Sequence, residues 1–363
     1  MSTPSYDVIV VGAGVIGLAI AWRCRQRGAR VAVVDPDPDR GAWRTAAGML
    51  APVTELHYGE DALLRLSLDS AARYPQFVAE LEAATDRSVG YRKTGTLVAA
   101  WDRADLAGLR DLHAFQARLG LASELITGTE LRRLEPGLAP GLPGGLLADG
   151  DHCVDARLLH KALADTGPAV IAAAAVRVDA DNVVLDDGTT LSAGNVVLAS
   201  GAWSGQVRAD VEVRPVKGQT LRLRTRGGGV SRVVRASVKG SSVYMVPRAD
   251  GTVVVGASTE EAGFDERPRA GAVYELLRDA QSLAPSLGEA ELVEVCTGLR
   301  PGSPDNAPLI GRADDGVIIA TGHYRNGVLL APVTADGVAE LISTGFLPSG
   351  LAACAPSRFR VPA

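Results

Sequence analysis

The sequence predicts an α/β protein that opens on a dinucleotide-binding βαβ unit and carries a second, β-rich body further along. Three observations support this. Residues 6–34 read as strand, glycine-rich turn, helix and strand. Residues 213–258 hold alternating apolar runs around an Asp250-Gly251 hairpin turn. The chain has 363 residues, which at about 100–200 residues per domain suggests about two domains.

Composition narrows the function classes. With 47% hydrophobic and 22% charged residues, the chain is globular and not disordered. A net charge of −5 argues against a general nucleic-acid binder. The longest uncharged stretch, Val8–Trp22, has 15 residues and is broken by glycines, too short for a membrane span. No basic segment precedes it, so it does not read as a signal peptide. Cys24, Cys153, Cys296 and Cys354 show no CxxC spacing and do not cluster with histidine. They suggest a reduced, cytoplasmic protein without a structural metal. The histidines at 57, 113, 152 and 160 likewise show no metal spacing.

The elements follow in order. Tyr6–Val11 is a short apolar run and a buried strand. Gly12, Gly14 and Gly17 then form G-x-G-x-x-G. Gly12 permits the tight turn, Gly14 lets backbone approach a pyrophosphate, and Gly17 lets helix and strand pack closely. The helix runs to Arg27, with Gly28 closing it, and its free N–H groups suit phosphate. A second strand ends at Asp35, 18 residues after Gly17, placed to accept from ribose hydroxyls. Residues 44–52, RTAAGMLAP, are small; they read equally as a flexible loop or as backbone passing close to a flat ring. Residues 61–84 are helical, with an expected break at Tyr74-Pro75. Residues 95–100 form a strand and 104–119 a helix. The Pro- and Gly-rich stretch 134–145 reads as a crossover between domains. A helix is expected over 154–164, short strands over 176–201, and strands over 213–224 and 241–258. A helix over 272–283, a strand over 317–320 and a last helix over about 328–342 complete the chain.

The segments AAGMLAP, VKGQ (216–219), VYMVPR (243–248), VVVGAS (253–258), GLRPGSPDNAPLIG (298–311) and GHYRNGVLLAP (322–332) follow one another in an ordered set. With the N-terminal βαβ unit, this set resembles the D-amino-acid oxidase group of flavoenzymes. Within that group it is most similar to the glycine oxidases of thiamin biosynthesis. The resemblance implies non-covalently bound FAD and a Rossmann-type FAD domain with an inserted, mainly antiparallel β-sheet substrate domain. The expected division is 1–84, 145–212 and 297–363 for FAD, and 85–144 and 213–296 for substrate. It further implies oxidation of a small amino acid to an imine by hydride transfer to flavin, with oxygen reduced to hydrogen peroxide. The imine would feed the thiamin thiazole. A homo-oligomer, often a tetramer, is also implied. Sarcosine, other secondary amines and D-amino acids are alternative substrates, a dehydrogenase of the same group that passes electrons to a carrier instead of oxygen is an alternative activity, and a nicotinamide-dependent dehydrogenase is the alternative the βαβ unit alone would allow.

The resemblance also assigns site residues. Arg300 of GLRP would grip the substrate carboxylate, which its planar fork of donors matches. Gly298 and Pro301 beside it suggest a held turn. Tyr244 would help through its hydroxyl, and Arg325 of HYRNG would place positive charge near substrate and flavin. Ser242, Thr259 and Met49 would line the substrate; several relatives carry histidine and methionine in place of the first two. The FAD contacts would come from Gly12, Gly14, Val15, Ile16, Gly17, Asp35, Pro36, Arg44, Thr45, Ala46, Ala47, Gly48 and Met49. Val176, Ser200, Gly201, Trp203 and Arg300 would add to these, with His323, Tyr324, Arg325, Asn326, Gly327, Val328 and Leu329. Gly327 would open the last helix and turn its N-terminus toward the flavin. His323 is expected to contact flavin by its backbone and not to act as a base. Cys296 precedes GLRP and reads as a buried cysteine, not a flavin tether.

Overall fold

The computed structural model describes residues 5–227 and 229–359. Strands of Val, Ile and Ala organise the first body. Val31–Val34 is buried at every position, as a strand covered on both faces must be. Ser5–Val11 pairs in parallel with Val31–Val34 on one side and with Thr190–Leu198 on the other. The sheet runs Leu309–Arg312, Ile318–Thr321, Thr190–Leu198, Ser5–Val11, Val31–Val34, Ala169–Ile171. Only the first of these is antiparallel to its neighbour. Helices Val15–Gln26, Asp61–Thr85, Ala156–Asp165 and Ala331–Thr344 cover one face through a single apolar core. The antiparallel strands Ala175–Val178 and Asn182–Leu185 help cover the other.

The second body is an eight-stranded sheet. Its order is Glu291–Gly302, Arg214–Arg224, Thr252–Gly256, Ser241–Pro247, Val233–Val238, Thr96–Ala99, Gly144–Ala148, Glu124–Thr127. All pairs are antiparallel except Val233–Val238 with Thr96–Ala99. Side chains alternate between faces along each strand. Leu221, Leu223, Val243, Met245, Val253 and Val255 point to a core closed by helix Ala270–Leu283. The other face carries Gly218, Thr220, Tyr244, Gly256 and Arg300.

Most expected elements lie within a few residues of their place, and three differ. Helix Asp61–Thr85 runs unbroken through Pro75. A helix-interior proline costs about 3 kcal/mol. Burial of Phe77, Val78 and Leu81 beyond it contributes about 1.5–3 kcal/mol each, which outweighs the break. Ser70 and Tyr74 also anchor that turn, donating at 2.6 Å to the carbonyls of Leu329 and Val328. The last helix begins at Ala331, not near Val328, because Pro332 suits a first helical turn and residues 326–330 form tight turns. Gly327 therefore does not open it. Finally, the stretch expected as a crossover between domains leads back into the second sheet, where Gly144–Ala148 pairs with Glu124–Thr127. The expected boundaries at 145 and 297 thus fall inside strands of that sheet. Residues 1–4 and 360–363 of the expected FAD domain lie outside the described residues.

Candidate active site

The glycine turn is shaped by contacts a side chain would destroy. Gly12 has φ +114°, and a Cβ there would lie 2.4 Å from the Ala199 carbonyl oxygen. A Cβ on Gly17 would lie 1.9 Å from the Gly12 oxygen. Gly14 instead faces open space, with nothing within 4 Å of a Cβ. The helix after it, with Val15 buried and Ile16 partly so, has no side-chain cap and no acid in its first turn. Its N–H groups are left for an anion. Asp35 accepts from Ala13 N at 2.7 Å and from Asp37 N at 2.9 Å, so its carboxylate is fixed at the strand end beside exposed Pro36. Ser200 and Gly201 follow the neighbouring strand: a Cβ on Gly12 would also lie 2.9 Å from the Ser200 Cα, and the Gly201 carbonyl accepts from Ser204 Oγ at 2.7 Å.

The small-residue segment is held from both sides. Arg157 Nε donates to the Arg44 carbonyl at 3.0 Å, Thr220 Oγ1 to the Thr45 carbonyl at 3.2 Å, and Arg248 Nη2 to the Ala47 carbonyl at 2.6 Å. Ala46 packs against the first core and Ala47 lies in a cluster with Met49 and Tyr244. Gly48 has φ +72°, and a Cβ would meet the Val154 carbonyl at 2.0 Å. Thr45 Oγ1 and Trp43 Nε1 are buried without a hydrogen-bond partner. Open space over Gly14, uncapped N–H groups and orphaned donors along 43–45 fit a dinucleotide with polar groups along its length.

On the second sheet, Tyr244 stands opposite Gly256, and a Cβ on Gly256 would come 2.3 Å from the Tyr244 hydroxyl. Gly218 plays the same part for Arg300: a Cβ there would lie 2.4 Å from the guanidinium. Two glycines on adjacent strands thus clear the floor on which Tyr244 and Arg300 converge. Burial raises the Tyr244 hydroxyl above its ordinary pKa, and the Arg300 charge pulls it back. Arg300 Nη1 donates to the Ser258 carbonyl at 3.1 Å. Ser242, on the Tyr244 face, and Thr259 are both exposed at the rim.

The 322–330 turn meets this floor at Pro301 and Gly302. Tyr324, with φ +47°, donates from its N–H to the Pro301 carbonyl at 2.9 Å, and His323 bridges Gly302. Arg325 pairs with Glu60 at 3.2 Å and lies 5.2 Å from the Tyr324 ring. Burial lowers His323 to a pKa of about 3, so it is neutral, and its Nε2 meets Thr334 Oγ1 at 3.0 Å. Asn326 is buried and shares a small cleft with Leu329, Glu55 and Glu60. Gly327 and Val328 complete the turn, and the Val328 carbonyl is held by Tyr74. Cys296 is buried beside Arg157 Nη2 at 3.1 Å, and burial raises its thiol.

Two further expected cofactor residues are Val176 and Trp203. Val176 is 58% exposed, although its chain segment follows Ile171, whose carbonyl accepts from Asp35 N. Trp203 is half-buried, 6.2 Å from the Phe264 ring and under the Arg40 guanidinium. Sequence reasoning missed Arg157, Arg248, Glu60 and the Glu55–Arg235 pair at 3.0 Å, with Arg235 opposite Tyr244. Arg248 was legible as the last residue of VYMVPR. The others pair across more than 100 positions and leave no local pattern. Among the described residues, no three His, Cys, Asp or Glu side chains gather as metal ligands, and no single helix is long and apolar enough to cross a membrane.

The chain is similar to known proteins over nearly its whole length. A family model described as FAD dependent oxidoreductase matches residues 7–341. Glycine oxidase of Geobacillus kaustophilus is 34% identical, covering 94% of this chain and 93% of that protein. The crystal structure of glycine oxidase from Geobacillus kaustophilus superposes with a TM-score of 0.92 over 99% of this chain and 100% of that one, at 32% identity. The bifunctional protein ThiO/ThiG of Synechocystis sp. is 33% identical over 99% of this chain, and the chain spans about half its length, 55%. Iminodiacetate oxidase from Chelativorans sp. BNC1 has a TM-score of 0.86 at 26% identity, over 96% of this chain and 98% of that one. With the glycine turn, the strand-end acid and the C-terminal turn all inside the matched span, the chain belongs to the FAD dependent oxidoreductase family.

Proposed function

We propose that this protein oxidises glycine, or a closely related small amine-bearing acid, to its imine, with oxygen reduced to hydrogen peroxide. The observation that carries this is the convergence of Arg300 and Tyr244 over Gly218 and Gly256. A planar fork and a hydroxyl above a floor without side chains suit a small carboxylate. When bound, FAD supplies the acceptor for the two electrons and the hydrogen leaving the α-carbon. The chain's part is to bind and orient. Gly12, Gly14, Gly17 and Asp35 would hold the dinucleotide, the 44–49 backbone would flank its ring, and Arg300 with Tyr244 would aim the α-carbon. Burial makes His323 a weak base and its Nε2 meets Thr334 Oγ1, so it is poorly suited to take a proton from the substrate. The substrate therefore enters with a neutral amine, and activity should rise with pH until that amine is deprotonated. Arg325, paired with Glu60, would add positive charge beside the substrate.

Similarity to glycine oxidases and to ThiO/ThiG proteins supports a supply of imine to thiamin thiazole synthesis. A second reading, oxidation of a secondary amine such as sarcosine, is favoured by Ser242 and Thr259, which are exposed and smaller than the histidine and methionine expected there. A nicotinamide-dependent dehydrogenase would leave the matched 298–332 segments without a role. The four buried, unpaired cysteines suit a reduced, cytoplasmic setting, and a homo-oligomer is the expected assembly, to be checked by gel filtration. The deciding experiment is anaerobic addition of glycine to the FAD-loaded protein. Flavin absorbance that bleaches and returns with air supports the proposal; absorbance unmoved by glycine but bleached by sarcosine replaces it with the second reading.

A further inference from the structure

We propose that Lys217 and Glu260 form a positioning pair that aims Arg300 at the substrate carboxylate. This rests on the reading that Arg300 grips that carboxylate. Beyond Gly256 the chain continues alongside Lys217–Gln219 without regular pairing. Lys217 N donates to the Glu260 carbonyl at 3.0 Å, Glu260 N to the Lys217 carbonyl at 2.9 Å, and Ser258 N to the Gln219 carbonyl at 3.2 Å. The guanidinium of Arg300 is held by two carbonyls of this short ladder, that of Ser258 at 3.1 Å and that of Lys217 at 3.5 Å. Only Nη1 is engaged in this way. Among the described residues no protein acceptor takes Nε or Nη2, which stay available to a ligand.

What fixes the ladder lies on the far side of the sheet. Lys217 is wholly buried; its ammonium pairs with Glu260 at 3.2 Å and donates to the Arg267 carbonyl at 2.6 Å. The Glu260 carboxylate also accepts from Ser258 Oγ at 2.7 Å and Gln219 Nε2 at 2.5 Å. Ser258 Oγ in turn accepts from Gln219 N at 3.0 Å, and Gln219 Oε1 accepts from Arg269 N at 2.8 Å. One carboxylate thus ties together the side chains of Lys217, Gln219 and Ser258, two of whose carbonyls hold Arg300. A buried ammonium is costly to leave unpaired, so Lys217 and Glu260 hold each other in place. Removing either lets Ser258 drift and turns the fork of Arg300, without touching the glycine turn or the 44–49 segment.

The test uses the FAD-loaded protein and acetate, whose binding is followed by the perturbation of flavin absorbance. Glu260→Ala should weaken acetate binding by about tenfold or more, since it breaks several charge-assisted bonds. The apparent KM for glycine should rise in proportion while kcat changes by less than about threefold. Lys217→Met should do the same, and Glu260→Gln, which keeps an acceptor oxygen, should lose less. If Glu260→Ala does not fold, Glu260→Gln carries the comparison. Wild-type acetate affinity in the variants overturns the proposal, as does loss of FAD in step with loss of acetate, and so does a wild type that binds no acetate. A wild type that binds acetate but does not oxidise glycine removes the glycine reading alone and leaves the pair to be judged on acetate.

Discussion

Arg300 owes its reach to a missing side chain on the next strand. A β-carbon on Gly218 would overlap its guanidinium, just as one on Gly256 would overlap the hydroxyl of Tyr244. Arg300→Lys replaces a planar fork with a point charge. The apparent KM for glycine should rise at least about tenfold with FAD still bound, as expected when a two-bond carboxylate contact is lost. Unchanged affinity for glycine would take Arg300 out of the site. Asp151 acts by a different route. It is wholly buried and accepts from Val53 N, Thr54 N and Thr54 Oγ1, fixing the segment that carries Glu55. Burial outweighs those bonds and raises its pKa from 3.8 to about 6. The folded state therefore holds this proton more tightly than the unfolded chain does. The stability it confers is full below about pH 4 and is lost as pH rises through about 6, a change on the order of 3 kcal/mol. Thermal melts of wild type and Asp151→Asn should accordingly shift against the wild type between pH 4 and 7; a constant difference across that window sinks the idea. Arg300 and Tyr244 could be picked from the sequence because they sit in runs of distinctive neighbours. Asp151 and Glu60 could not, because their partners are set by folding and not by spacing.

At the scale of elements, local chemistry and tertiary packing divided the work unevenly. The first βαβ unit formed where its pattern placed it, because strand, turn and helix each satisfy their own backbone groups locally. Gly17→Ala tests how tightly the turn is packed. A β-carbon 1.9 Å from the Gly12 oxygen forces the helix off the strand, so the variant should lose FAD, or fail to fold, in a flavin-content assay. Pro75 shows the opposite case. Pattern reasoning ends the helix before it, yet the apolar face beyond Pro75 keeps the helix whole. Pro75→Ala should restore a hydrogen bond to the Ala71 carbonyl and raise stability by about 1–3 kcal/mol in urea unfolding. Lower stability in that variant would mean that the bend itself is needed for packing. The start of the last helix moved for a related reason: Val328 and Leu329 lend their carbonyls to Tyr74 and Ser70, which favours turns there over helix.

Over the whole molecule, long side chains help to join the two sheets. Arg157, near the start of the Ala156–Asp165 helix, makes a two-bond pair with Glu294 at 2.9 and 3.1 Å and donates to Arg44 and Cys296. It links the helix layer of the first body to an edge strand of the second and to the small-residue segment between them. Arg157→Ala should lower stability by about 1–3 kcal/mol, as expected for a half-buried pair that loses its two charge-assisted bonds. It should also speed FAD loss, measured as flavin fluorescence released over time. Retention of FAD at the wild-type rate would confine Arg157 to ordinary surface pairing.

The sequence by itself determined the βαβ unit, the strand-end acid and the ordered motifs that carry Arg300, Tyr244 and Arg325. These are local: each depends on residues a few positions apart, and backbone sterics and side-chain alternation act at that range. Only the tertiary structure decided which side chains meet. It set Glu60 against Arg325 and Glu55 against Arg235, and it placed a wholly buried lysine behind Arg300. It also carried the expected domain boundaries into the strands of the second sheet. Such pairings are selected by burial and charge across 180 or more positions, where chain spacing holds no periodic signal.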